Sequence, residues 1–501
     1  MVAALAAPPT RPKVRPHCGT ASSRRYERRR PERTPLYKVV AEHLEGWLEN
    51  RSVVEQPVSA HVERELRSYL ACGILCFGFG RARCASCGQG FVVAFSCKGR
   101  GVCPSCNGRR MAQTAAHLVD RVIPPVPVRQ WVVSVPKRLR GFLADRPQAV
   151  AALTRIFLSE IERLLCAERL LCEAAGGSCG DDAPAAPRPR PGAVSFLHRF
   201  GSAMNRHVHL HACVTDGAFT QSSDGYSAKF FPARPITTAD LATLTERVRR
   251  RVVRWFRMQR LLDADAAADM VARENSGFSV DASVRITLID RDVPSYFQSL
   301  ERLLRYCARP RFALERLSVR CSEDGRISRV RYVLPRHKAA NWVGPGRGRK
   351  STRPGANGVV ELSPFDFLDR LADLVPRPRK HRHRYHGVFA PNHKLRSAVT
   401  ALAIGNVGTR RDAATDGRAV GGHAAGGDAP GDSCGSCDKP PSHDTSRIAW
   451  AKLMARVGEE FPLECPGCGG DIRLRGDRRQ EPAHFEPEVR KRKKARMASP
   501  A

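Results

Sequence analysis

The stretch Asn205-Arg-His207-Val-His209-Leu-His211-Ala-Cys-Val-Thr-Asp216-Gly217 sets three histidines in alternation with apolar residues and closes on an Asp-Gly turn signal. On a β-strand, side chains of period two share one face. His207, His209 and His211 would then point one way, while Val208, Leu210, Ala212 and Val214 point into a core. Imidazoles fixed on a rigid strand make a metal platform, because neutral imidazole is a common metal ligand. The plain alternative is a surface strand with incidental histidines. Only the setting decides between the two.

Cysteines supply a second chemistry. Cys84-Ala-Ser-Cys87 and Cys103-Pro-Ser-Cys106 are C-x2-C pairs separated by fifteen residues, close to the spacing of a four-thiolate zinc site. Gly88, Gly90 and Pro104 suit tight knuckle turns. The expected zinc ligands are therefore Cys84, Cys87, Cys103 and Cys106, with Cys97 a spare or alternative ligand and Cys72 and Cys76 core cysteines. Lys98, Arg100, Arg109 and Arg110 make this module basic, which suits either DNA contact or a purely structural zinc. A further pair, Cys465-Pro-Gly-Cys468, offers a second zinc with Cys434-Gly-Ser-Cys437 across a Gly-rich stretch, on weaker grounds.

A nucleophile is available on the segment 294–309. At about 100° per residue, Phe297, Leu300, Leu303, Leu304 and Cys307 form an apolar stripe, and Arg302, Arg305 and Arg309 gather on the other side. Tyr306 falls on the shoulder, beside cations able to hold a phosphate. An amphipathic tyrosine capping a core edge would look the same.

The surrounding chain must position these groups. Its 501 residues leave room for roughly two to four domains. A formal charge of +35 favours a polyanionic partner, nucleic acid first, unless a generally Arg-rich proteome accounts for it. No segment approaches the ~18–20 uninterrupted apolar residues of a membrane helix, and the N-terminus lacks the basic start of a signal peptide. A cytosolic protein is expected, with its 18 cysteines serving as zinc ligands or free thiols rather than disulfides.

Periodicity predicts helices over 36–70, 111–123, 147–173, 238–275 and 294–309. It predicts strands at Val128–Val135, Ala193–Phe200, the histidine segment and Val284–Ile289, and a hairpin of 317–321 with 327–333 turning at Asp324-Gly325. Residues 1–35 read as a basic disordered N-terminus and 36–125 as a helical and zinc-binding domain. A larger domain follows over 126–405, then a Gly/Ala/Asp-rich linker at 406–446, a C-x2-C segment at 447–475 and a basic tail at 476–501. The mixture of strands and helices gives an α+β fold class.

Together these pieces resemble the HUH-type transposases of the IS91 family, including the ISCR-like members. The likeness spans about 36–405 and 447–474. It rests on the zinc module from Cys84 to Met111, on His209-Leu210-His211 running into Asp216-Gly217, and on Arg305-Tyr306-x-x-Arg309-Pro310. Two further blocks carry it: Pro378-Arg-Lys-His-Arg-His-Arg-Tyr385-His-Gly387, and Phe461-Pro-Leu-x-Cys465-Pro-x-Cys468-Gly-Gly.

The resemblance implies an antiparallel-sheet nuclease core with flanking helices behind a small four-cysteine zinc-binding domain. It implies that His209 and His211 hold a divalent cation, Mg²⁺ or Mn²⁺, while Zn²⁺ is structural. Tyr306 would attack a phosphodiester of single-stranded DNA, forming a 5′-phosphotyrosine during rolling-circle transposition in a bacterial, nucleoid-associated setting. Arg302, Arg305, Arg309, Arg109 and Arg110 would contact DNA. His207 is one histidine more than the pattern requires, and no third metal ligand is assigned.

Where two-tyrosine members carry a second nucleophile four residues before the first, this chain has Arg302, so a one-tyrosine variant is expected. After Leu474 the tail is charged and lacks the apolar segment the pattern would place next, which reads as a truncated or frameshifted end. A replication initiator or relaxase with the same chemistry, and a zinc-dependent DNA-binding protein without catalysis, are the competing readings.

Overall fold

The computed structural model describes residues 30–84, 86–166, 189–201, 204–222, 227–273, 277–287, 293–310, 312–334, 358–404 and 472–475. The expected linker at 406–446, Cys434, Cys437, Cys465 and Cys468 lie outside the described residues.

The chain opens with helices α1 (Pro35–Val53) and α2 (Ala60–Leu70) and the hairpin β1 (Phe79–Cys84) and β2 (Gly90–Ala94). Helix α3 (Pro104–Arg121) starts inside the second C-x2-C pair, with Pro104 at its first turn, where the missing N–H costs no hydrogen bond. Then come β3 (Val128–Ser134), α4 (Lys137–Asp145) and α5 (Pro147–Leu165), followed by β4 (Gly192–Phe200), β5 (Arg206–Thr215), β6 (Gly217–Gln221) and β7 (Ala228–Pro232). Next are α6 (Thr238–Met258), α7 (Ala264–Ala272), β8 (Ser279–Asp281), β9 (Arg285–Ile286) and α8 (Val293–Ala308). The remainder is β10 (Leu317–Cys321), β11 (Ile327–Val333), β12 (Val359–Leu362), α9 (Pro364–Leu374), β13 (His383–Gly387), α10 (Arg396–Ala401) and β14 (Ile472–Arg475).

The central sheet runs β13-β4-β5-β3-β8, with β9 also on β3, and every pairing is antiparallel. Strand β5, which carries the histidines, lies in its middle. The expected alternation holds. Val208, Leu210, Ala212 and Val214 are buried with Trp131 and Val133 against α4–α7. The opposite face, with Val194, Phe196 and Cys213, is covered by α3 and α8 through Leu118, Leu300 and Leu304. Helices on both faces make the sheet a rigid plate.

A further core joins α1 and α2 to β10–β12 and α9, around Trp47, Leu66, Tyr332 and Phe367. The indole N–H of Trp47 donates to Asp369 at 2.9 Å. The N-terminal helices thus share a core with residues more than 250 positions away, because no short helix pair can bury an apolar stripe alone.

Among the elements that differ from expectation, three have a plain local cause. Pro136 stops β3 but also leads directly into α4, which the strand reading passed over. The helix expected over 238–275 is two helices, since Asp263 accepts from the Ala266 N–H and caps α7 in place of a continuing turn. Of the strand expected at Val284–Ile289, the described residues pair with β3 at Arg285 and Ile286, and the Val284 carbonyl accepts from the Gln130 N–H at 2.9 Å.

Leu210→Ala should cost about 2–5 kcal/mol, because Leu210 is 2% exposed within the plate that backs the histidines. A lowered urea midpoint would show it; an unchanged midpoint would contradict this packing.

Candidate functional site

In an antiparallel pair, residues directly opposite share a face. The β4–β5 register sets His198 against His209 and Phe196 against His211, and the β3–β5 register sets Ser134 against His209 and Val132 against His211. His198, His209 and His211 consequently converge, each offering a ring nitrogen within 4.8 Å of the others'. His198 is the candidate ligand that sequence reasoning missed. Its signal was available, a histidine at a polar position of the strand next to the histidine strand, but the pairing register was not. His207 stands outside this trio, its ring centroid 5.0 Å from that of His209.

Each imidazole is held by a neighbour. His198 Nε2–H donates to the Cys307 carbonyl at 2.7 Å, leaving Nδ1 as a lone pair. His209 Nδ1–H donates to the His207 carbonyl at 3.0 Å, leaving Nε2. The Gln130 amide lies 2.8 Å from His211 Nδ1; a 180° turn of that near-isosteric amide makes its oxygen the acceptor and frees His211 Nε2 for a metal. Burial lowers the pKa of His209, and burial followed by His198, His209 and Arg309 pushes that of His211 down to about 2. Burial thus disfavours the charged form of His209 and His211, leaving ring nitrogens as donors. Three imidazoles converging on one rigid sheet fit a divalent cation.

Helix α8 crosses this face and brings Tyr306, 45% exposed, to the cluster. Its ring meets His211 edge-on at 5.8 Å between centroids, and the Arg309 guanidinium stacks over it at 4.3 Å. Arg302 is exposed, whereas Arg305 is tied to Glu301 one turn back. Tyr296 is different. It is 2% exposed and its hydroxyl donates to the Val126 carbonyl at 2.6 Å, which makes it a core residue.

The cysteine site corrects the spacing argument. The fold assembles Cys72, Cys97, Cys103 and Cys106, not Cys84 and Cys87 with the second pair. Sulfur separations are 3.6 Å for Cys72–Cys103, 3.9 Å for Cys72–Cys106 and 3.6 Å for Cys97–Cys106. A tetrahedral Zn²⁺ with ~2.3 Å bonds needs sulfurs about 3.8 Å apart, so the four fit zinc. Crowded thiols oppose one another's ionisation: contact with Cys106 drives Cys103 far up, while contact with Cys103 holds Cys106 far down. A divalent ion removes that conflict.

Two residues without a sequence motif shape this site. Glu65 of α2 accepts from the backbone N–H groups of Arg100, Gly101 and Val102, clamping the loop between Cys97 and Cys103. Gly101 admits no side chain, since a Cβ would come within 2.7 Å of the Val375 Cα. Arg382 donates to Asn107 at 2.9 Å, and Arg100 donates to the Lys380 carbonyl, so the zinc loop grips the approach to β13. Arg109 reaches Ser96 at 3.4 Å and Arg110 the Lys98 carbonyl at 2.7 Å, so both brace the loop as well as charging it.

Residues 39–135 match the family model described as "Transposase zinc-binding domain", of the IS91 type, and residues 192–397 match the one described as "Putative transposase". The chain belongs to the IS91-type transposase family. No curated protein and no solved structure matches it. The four assembled cysteines of the transposase fall within the first match, and the histidine trio and Tyr306 fall within the second. Among its described residues no helix is long and apolar enough to cross a membrane.

Glu65→Ala should weaken zinc retention about 10–100-fold, the usual effect of losing an outer partner of a metal site. Competition with a chromophoric chelator measures this, and wild-type retention would show that the clamp is dispensable.

Proposed function

We propose that this transposase cleaves and rejoins single-stranded DNA, with Tyr306 as nucleophile and His209, His211 and His198 as holders of a divalent cation. The observation that carries the reading is the edge contact of Tyr306 with His211, under the Arg309 guanidinium. A half-exposed phenol and a set of imidazoles have no structural need to converge. A scissile phosphate placed between them would meet both.

In this reading the Tyr306 oxygen attacks phosphorus, a new O–P bond forms, and the P–O3′ bond breaks. The departing 3′ oxygen takes up a proton as the phenol gives one up to solvent, leaving a 5′-phosphotyrosine and a free 3′-OH. Attack by a 3′-OH on that linkage reverses the step and rejoins strands without a nucleotide cofactor. Arg309 and Arg302 stand where they would hold phosphate oxygens, with Arg305 partly neutralised by Glu301. The cation, when bound, neutralises charge on the scissile phosphate and aligns it for in-line attack. Donors that are all nitrogen favour Mn²⁺ over Mg²⁺.

A cleft of about 1500 Å³ runs past His198 and Arg309 toward Arg100 and Arg110 of the zinc module. Eleven Lys/Arg against four Asp/Glu line it, a balance suited to a phosphate backbone. A single strand would lie here, within the cytosol of a bacterial cell.

Incubation with single-stranded element ends and Mn²⁺ should give a covalent protein–DNA adduct. Tyr306→Phe should abolish the adduct, whereas Tyr296→Phe should keep it and lose only about 1 kcal/mol of stability. An adduct surviving in Tyr306→Phe would sink the assignment. His198→Ala should raise the Mn²⁺ needed for half-maximal adduct at least about tenfold; an unchanged requirement would remove His198 from the ligand set.

A further inference from the structure

The hairpin of the zinc module leaves aromatic rings in water. Phe77, Phe79 and Phe95 are 50%, 39% and 56% exposed, and among the described residues every exposed phenylalanine is one of these three. All lie within or directly beside β1 and β2. Aromatic side chains gathered at one place on a surface mark a contact site, whereas a single exposed one needs no explanation.

Of the three, Phe95 has a prepared seat. Its N–H donates to the Gly78 carbonyl at 2.9 Å, and its carbonyl accepts from the Gly73 N–H at 2.9 Å. A Cβ on Gly78 would come within 2.7 Å of Phe95 Cδ2, and one on Gly80 within 3.9 Å of Cε1. The ring therefore lies along Gly78 and Gly80, where no side chain separates it from the backbone. Gly78 takes a φ of +111°, a conformation that side chains other than glycine rarely adopt. Phe79 alternates with these glycines and falls on the other face of the hairpin, so it does not share the seat. One side of the Phe95 ring is held against the hairpin, and more than half of the residue remains open.

Charge decides what would cover it. Between Glu65 and Asp120 the sequence has no Asp or Glu and seven Lys/Arg. Arg81 and Lys98 are exposed, and among the described residues neither meets a carboxylate. A second copy of the chain would bring the same positive charge to this surface. Duplex DNA keeps its base faces stacked inside, out of reach of a flat ring. A single strand offers a negative backbone together with free base faces.

The seat also adjoins the cleft. Arg100, five residues after Phe95, lines the cleft, as does Arg110, which donates to the Lys98 carbonyl at 2.7 Å. Five residues span at most about 18 Å, so a strand leaving the cleft past Arg100 reaches the ring within a few nucleotides. Resting on the reading that this transposase handles single-stranded DNA, we propose that Phe95 is a base-stacking platform outside the cleft. One base of the strand lies on the open side of the ring, and Lys98, three residues on, attracts its phosphates.

Fluorescence anisotropy with a labelled single strand tests this on the full-length chain without added metal, so that binding is read apart from any cleavage. Phe95→Ala should weaken binding roughly 5- to 150-fold, the effect of losing one base–aromatic stack. Phe95→Tyr should bind like wild type. Phe95→Leu, which fills the seat with an apolar but non-aromatic side chain, should bind like Phe95→Ala. On a fully abasic strand all four proteins should bind alike, because the platform then has nothing to stack.

Wild-type affinity in Phe95→Leu overturns the proposal, as does loss in Phe95→Tyr. An equal loss by Phe95→Ala on the abasic strand also overturns it, since the ring would then be serving the fold. A wild-type chain that binds no single strand at all defeats the proposed function itself, whereas strong wild-type binding that ignores Phe95 defeats the platform alone.

Discussion

The pairing of β4 with β5 is the constraint on which the rest of the structure depends. Its register places His198 opposite His209 and leaves His211 one step along the same face. A slip of one residue would turn His198 into the core and break the trio, since side-chain direction alternates along a strand. The register is fixed from beneath by Val208, Leu210 and Val214, whose burial would be undone by the same slip. Apolar packing on one face therefore determines the nitrogen geometry on the other.

Beside that sheet, a buried carboxylate closes the histidine strand. Asp216, 2% exposed, receives Arg129 at both oxygens, at 3.0 and 3.1 Å, and is also paired with Arg285. Its N–H donates to the Pro127 carbonyl at 2.7 Å. Breaking a buried pair on one side leaves an uncompensated charge, so the Asp-Gly after the histidines fixes strand ends rather than taking part in chemistry. Gly217 follows because a side chain there would collide with the Phe231 carbonyl of β7.

The zinc module is built into the transposase domain, not appended to it. Its ligands Cys72, Cys103 and Cys106 sit in the same core as β10–β12 and α9. Through Arg382 and Asn107 it holds the segment leading into β13, the strand that edges β4. Metal binding at the cysteines and order at the histidine sheet are thus mechanically continuous.

Much of this was legible in the sequence. The alternation of His207, His209 and His211 with Val208 and Leu210 gave the strand and its two faces, because period two reports burial directly. The amphipathic spacing of 294–309 put Tyr306 at the edge of an apolar stripe, where the structure has it. Local patterns of this kind are set by nearest neighbours along the chain. What the tertiary structure alone decided was every grouping across distance. His198 joined the trio through cross-strand register, and Cys72 and Cys97 displaced Cys84 and Cys87 from the four-cysteine site. Spacing along a chain can propose a four-thiolate site, but four sulfurs share an ion only if the fold brings them within about 4 Å, and that distance is fixed by packing between elements that the sequence does not place side by side.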